Sequence, residues 1–200
     1  MNKEKSAAIQ VAHAGYDVWL GNNRGCVYSR GHVSLNAEKD FKEFYDYSFY
    51  ELGKYDAPAQ IDFVRSVTGH DKISYIGHSQ GTSQMFSALA EGHGNLKDKI
   101  NLFVALCPIT NLGLSSAGFM EFGAKWYGIL ESTFNSLNIR QIKGPGWNRL
   151  SIALCTVVPC DLFDKMSLPS AESFNDPRVV ETMQTRGSSS ASSKQILHYL

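Results

Sequence analysis

The sequence predicts an α/β fold, with parallel strands and flanking helices in its first two-thirds and a mainly helical layer after them. Three observations carry this reading. Short apolar runs recur at Tyr16–Leu20, Ile73–Ile76 and Ile100–Leu106; stretches of helical periodicity stand between them; and the rhythm breaks after Leu112.

The first run, Tyr16–Leu20, leads into Gly21-Asn22-Asn23-Arg24-Gly25 and reads as a strand entering a loop. Asp56 is placed to cap a helix with Pro58 in its first turn, Ile61, Val64 and Val67 fall at helical spacing, and Gly69 ends it. Ile73–Ile76 is the second strand, expected to run to residue 77. Met85, Phe86 and Leu89 form the apolar side of the next helix, which stops near Gly92. Ile100–Leu106 is almost continuously apolar, as a parallel strand buried on both faces requires. Residues 1–112 thus form the predicted core. From 113 to 200, glycines alternate with aromatics through Gly118, Phe119, Phe122, Trp126 and Tyr127, then Gly144-Pro145-Gly146-Trp147, and a Ser-rich stretch covers 187–193. This region is expected to be a helical cap.

Composition excludes several classes. With 200 residues and 43% hydrophobic content the chain can bury a core, so global disorder is excluded. Nineteen basic residues balance nineteen acidic ones, which gives no electrostatic footprint for nucleic acid. No apolar stretch approaches the roughly 18 residues of a membrane span. The N-terminal segment contains Gln10 and His13 rather than an uninterrupted apolar run, so no secretory signal is expected in the chain as written. Cys155 and Cys160 lie close together with no further ligand nearby, which fits a disulfide or two buried thiols better than zinc. The cysteines leave the compartment open.

The chemistry is concentrated at Gly77-His78-Ser79-Gln80-Gly81, where the second strand turns sharply into a helix. A serine at such a turn is held in a strained conformation with its hydroxyl above the C-terminal edge of the sheet. Gly77 and Gly81 are expected to be glycine because side chains there would meet the neighbouring elements. The Gln80 amide, at the helix N-terminus, is placed to donate to a developing oxyanion. Ser79 is therefore the candidate nucleophile.

Residues around this elbow resemble the acid lipases, the gastric and lysosomal lipases and sterol-ester hydrolases of the α/β-hydrolase fold. The matching stretches are Ala14 through Gly25 (Ala-Gly-Tyr-Asp-Val-Trp-Leu-Gly-Asn-Asn-Arg-Gly), Tyr28-Ser29-Arg30 with His32, Phe44 through Ser48, Lys54 through Ala59, Ile61-Asp62-Phe63 and Gly77 through Thr82. Ala105-Leu106-Cys107-Pro108 is similar to that family's Ala-Leu-Ala-Pro. The resemblance is dense from about residue 14 to 112; beyond it, only Gln195-Ile196-Leu197-His198-Tyr199 resembles a family segment, near the end of the cap. It implies a lipase-type serine ester hydrolase of neutral lipids, triacylglycerols or sterol esters, working in lipid degradation without a cofactor or metal. It further implies lipid-interface contact through the cap and, for family members, a secreted or lysosomal location. Nucleic acid is no expected partner.

The resemblance covers the middle of the family domain. The family takes its second oxyanion donor from a His-Gly motif upstream of the matching region, and its triad acid and histidine from loops after later strands. No triad acid or histidine is identified here. His13 and His70 precede strands, at the wrong sheet edge. His93 follows a helix that carries it roughly 18 Å from the elbow. His78 points elsewhere from the turn. His32 and His198 are the two remaining candidates for the base, with non-catalytic positions as their alternative. Asp161, Asp164 and Asp176 follow the serine but fall in the expected cap, and Asp56 and Asp62 read as a helix cap and a helix-surface charge. Phe119, Phe122 and Trp126 would line an acyl pocket or simply pack. Three functions stay open: an active ester hydrolase, a non-catalytic lipid-binding protein that keeps the elbow, and a fragment whose activity belongs to a longer parent.

Overall fold

The computed structural model describes residues 6–110, 112, 118–142 and 190–200, with side chains from residue 121 onward in the helix that begins at Gly118. The chain packs as two units: residues 1–20 with 141–191, and residues 21–140 with 192–200.

Of the first unit, α1 (Ala7–His13) is followed by the apolar run Tyr16–Leu20. The strand expected there is not found. The segment pairs with no ladder, Tyr16 and Leu20 are 70% and 77% exposed, and the Trp19 indole donates to Asp17 two residues away at 2.8 Å. A strand is defined by its ladder, and among the described residues this run forms none.

The second unit holds the site. After α2 (Phe41–Phe44), one helical run extends from α3 (Phe49–Glu51) through a wide turn at Leu52–Asp56 into α4 (Ala57–Thr68), closed by Gly69 at φ 73°. The expected cap at Asp56 is absent: this residue is already helical (φ −71°, ψ −48°) and its side chain makes no capping bond. The run starts at Ser48, whose N–H and hydroxyl both donate to Glu51 (2.7 and 2.9 Å) while its Oγ accepts from the Tyr50 N–H. The wide turn lies directly ahead of Pro58, which lacks the N–H that a regular helix would use.

Partial burial alone would raise the Glu51 carboxyl. The hydrogen bonds from Ser48 outweigh that and hold it below the ordinary value. A lowered folded-state value means the stabilisation is present above the unfolded value and is lost as pH falls through the folded one. Urea melts are therefore expected to show wild type more stable than Glu51→Gln at neutral pH, with the difference vanishing in strong acid. Ser48→Ala is expected to cost about 1 kcal/mol.

Strands β1 (Ile73–His78) and β2 (Ile100–Leu106) pair in parallel, with Tyr75 opposite Phe103 and His78 opposite Leu106. Between them run α5 (Gln80–Ala90), a single 3-10 turn and α6 (Leu96–Lys99). One sheet face carries Ile73, Tyr75 and Phe103 onto a core of Ala57, Ile61, Met85, Ala88 and Leu96. On the sheet, Ile76 and Leu102 remain about half exposed (50% and 55%). A second cluster joins Ala37, Phe44, Tyr45, Tyr47 and Leu52. Beyond residue 112 the described helices are α7 (Gly118–Lys125), α8 (Tyr127–Ser136) and α9 (Ser193–Tyr199). No helix among the described residues is long and apolar enough to cross a membrane.

Candidate active site

Ser79 stands between the end of β1 and the start of α5 at φ 52°, ψ −116°, a conformation that L-residues avoid. Such strain persists only where the surroundings over-determine it. Here the Ser79 N–H donates to the Leu106 carbonyl at the end of β2 (2.9 Å), which ties the turn to the neighbouring strand. The Ser79 carbonyl accepts from both the N–H and the hydroxyl of Thr82, at 2.8 and 2.6 Å. The Tyr75 hydroxyl donates to the Gly81 carbonyl at 3.1 Å.

The two elbow glycines differ. A Cβ at Gly77 would lie 2.6 Å from the Gly81 carbonyl oxygen and 3.0 Å from the Tyr75 ring, so strand and helix approach too closely for any side chain. At Gly81 the nearest atom would be the Tyr75 hydroxyl at 3.7 Å, an ordinary contact. The crowding expected at Gly81 is not there.

A chain of side-chain amides, buried at Gln84 and half-buried at Asn23 and Gln60, extends from the elbow. Gln84 donates to the Tyr75 hydroxyl (2.8 Å) and accepts from Asn23 (2.7 Å), and Gln60 donates to Asn23 (3.2 Å) and to the Asn22 carbonyl (3.1 Å). This pins the loop after Gly21 to the elbow helix. Burial pushes the Tyr75 phenol up, opposed by the Gln84 bond, so it stays a neutral donor.

Thr82, Ser83 and Gln84 are buried, although apolar periodicity marks only Met85, Phe86 and Leu89 as the inward side of this helix and gives no sign of them. Their polar partners come from distant segments, such as Ile109 for both Thr82 and Ser83. Three consecutive polar residues in the first turns of a helix that follows an elbow are the local signal that was available.

The candidate bases do not gather at the serine. The His32 Nδ1 accepts from the backbone N–H groups of Ser34 and Leu35 (3.1 and 2.9 Å), and its ring lines a cleft of about 490 Å³ with Arg24, Tyr47 and Asp56 that Ser79 does not line. His198 stacks on Phe49, ring centroids 4.3 Å apart. His93 meets Tyr50 edge-on at 5.7 Å, and His78 and His70 are exposed. His13 belongs to the other unit. Among the described residues of the serine's unit, no histidine hydrogen-bonds its hydroxyl.

Among the described residues, the two candidate acids Asp56 and Asp62 are occupied too. Asp56, only 8% exposed at its side chain, binds the backbone N–H and the Nε of Arg24, both at 2.7 Å. Asp62 is a surface charge as expected, paired with Lys99 and Arg65; the Lys99 bond holds its carboxyl below the ordinary value. Asp161, Asp164 and Asp176, the Cys155–Cys160 pair and the Phe119 side chain lie outside the described residues. Phe122 and Trp126 are exposed, with centroids 6.2 Å apart.

Comparison with known proteins gives the same frame. Residues 3–151 match the family model described as alpha/beta hydrolase fold. The gastric triacylglycerol lipase of Mus musculus is 46% identical over 116 residues, covering 58% of this chain and 29% of the relative. The lysosomal acid lipase/cholesteryl ester hydrolase of Macaca fascicularis is 39% identical over 118 residues, 59% of this chain and 29% of the relative. Lipase lipl-5 of Caenorhabditis elegans is 34% identical over 206 residues, 98% of this chain and 50% of the relative. The chain spans half or less of the length of these curated relatives.

Proposed function

The chain belongs to the α/β-hydrolase fold family, and from that premise we propose that it is a lipase-type carboxylic-ester hydrolase with Ser79 as its nucleophile. The observation that carries this reading is the strained φ of Ser79 at a strand–helix turn, clamped from β2 and from Thr82. The hydroxyl oxygen adds to the ester carbonyl carbon as its O–H bond breaks, and the C–O bond to the alcohol breaks so that the alcohol leaves with that proton. Water later releases the acid from the acyl-serine and returns a proton to the serine oxygen. The Gln80 N–H, in the first turn of α5 where helical N–H groups lack carbonyl partners, donates to the oxyanion. The substrate class is neutral-lipid esters, in keeping with the mouse relative's name as a triacylglycerol lipase and the macaque relative's as a cholesteryl ester hydrolase. The helices after residue 113 act as a cap whose exposed Phe122 and Trp126 meet the lipid.

A second reading is favoured by one observation: the serine's proton has no histidine acceptor among the described residues of its unit. The elbow would then be kept in a lipid-binding or incomplete hydrolase. The test is hydrolysis with imidazole supplied as base, wild type against Ser79→Ala, on a soluble short-chain ester, an emulsified triacylglycerol and a sterol ester. The proposal expects a Ser79-dependent increment on at least one lipid ester. An increment on the soluble ester alone would remove the lipid assignment, and none on any ester would favour the second reading.

A further inference from the structure

Thr82 is fully buried in the first turn of α5. Its hydroxyl accepts from the Ile109 N–H at 3.0 Å, which leaves its single proton for the Ser79 carbonyl at 2.6 Å. One residue thus places two donors on that carbonyl oxygen and is itself anchored to the segment after β2. The Ser79 carbonyl and the Gln80 N–H belong to one planar trans peptide unit, in which they point in opposite directions. Whatever fixes the carbonyl also fixes the direction of the N–H.

We infer that Thr82 is a positioning residue for the oxyanion donor: its hydroxyl holds the Ser79–Gln80 peptide plane so that the Gln80 N–H is aimed, before reaction, at the place where the acyl oxygen gains charge. The inference rests on the reading of Ser79 as nucleophile and Gln80 as donor. The need for the hydroxyl follows from the strain. Rotation of the Ser79–Gln80 peptide plane, which changes ψ of Ser79 and φ of Gln80 and leaves φ 52° as it is, would carry ψ from −116° to the left-handed region that this φ allows and swing the N–H away. The Thr82 N–H makes only a tight i→i−3 bond at the helix end; the hydroxyl, braced by Ile109 and restricted at χ1 by β-branching, adds a second and independent hold.

The test uses the full chain carrying Ser79→Cys, because a thiolate reacts without a positioned base. With p-nitrophenyl acetate the S–C bond forms, the ester C–O bond breaks and p-nitrophenolate leaves, by way of a tetrahedral oxyanion. With iodoacetamide the S–C bond forms, the C–I bond breaks and iodide leaves, with no oxyanion. Both rates are read at position 79 by peptide mass spectrometry, so Cys26, Cys107, Cys155 and Cys160 do not contribute. Adding Thr82→Val is expected to lower acylation at least about tenfold and leave alkylation unchanged, with Thr82→Ser restoring acylation. Thr82→Ala, which adds no volume, reads the same should the valine variant not fold. Equal losses in both reactions, or no loss in either, would overturn the inference. Failure of the underlying reading looks different: with Thr82 intact, position 79 would show no higher ratio of acylation to alkylation than free cysteine.

Discussion

Gly77→Ala is expected to destabilise the protein by about 3 kcal/mol, the upper part of the range for overpacking. The added carbon would sit 2.6 Å from a backbone oxygen and 2.8 Å from its carbonyl carbon, both in Gly81, so no flexible side chain can move aside. Relief requires β1 and α5 to separate at the elbow, which would strip Ser79 of its clamps. Against a total stability of about 5–15 kcal/mol for a domain, that loss should appear as a large fall in the urea midpoint. Gly81→Ala is the matched control. Its new carbon meets only the Tyr75 hydroxyl at 3.7 Å, and alanine is favoured over glycine inside a helix by about 1 kcal/mol. It should fold at least as well as wild type. Equal destabilisation by the two substitutions would show that the close approach at Gly77 is not what shapes the turn.

Without added base, ester hydrolysis by the 200-residue chain is expected to be little faster than by its Ser79→Ala variant. A positioned general base contributes about 10²–10⁴-fold, and each histidine of the serine's unit is engaged elsewhere or exposed: His32 with Ser34 and Leu35, His198 on Phe49, His93 against Tyr50. The assay compares purified monomer of both proteins on a soluble short-chain ester and an emulsified triacylglycerol. Robust turnover abolished by Ser79→Ala would mean that a histidine such as His32 or His198 reaches the serine after all.

The parts of the fold that were legible in the sequence are those whose signal is local. Ile73–His78 and Ile100–Leu106 announce themselves as apolar runs, and Gly77-His78-Ser79-Gln80-Gly81 fixes where one of them must turn. Tyr16–Leu20 has the same local signal and no ladder, because a strand's hydrogen bonds belong to a partner that the run itself does not specify. Asp56 departs from its local signal for a related reason. Its position near Pro58 suits a cap, while its actual partner, Arg24, is 32 residues away, and Ser48-Phe49-Tyr50-Glu51 held the true start signal. At the site, the serine was legible and its supports were not. Tyr75, Thr82 and Gln84 find their hydrogen bonds through packing of β1, α5 and the segments after Gly21 and Leu106.

The most direct test of the account is the site of covalent modification by an alkyl p-nitrophenyl phosphonate in the presence of imidazole. Attack by the Ser79 oxygen would form the O–P bond and release p-nitrophenolate, leaving a phosphonylated serine that peptide mass spectrometry can locate. The account predicts one adduct, on Ser79, formed faster as imidazole is raised and absent from Ser79→Ala. An adduct on any other residue that persists in Ser79→Ala, or none on Ser79 in a folded protein, would contradict it.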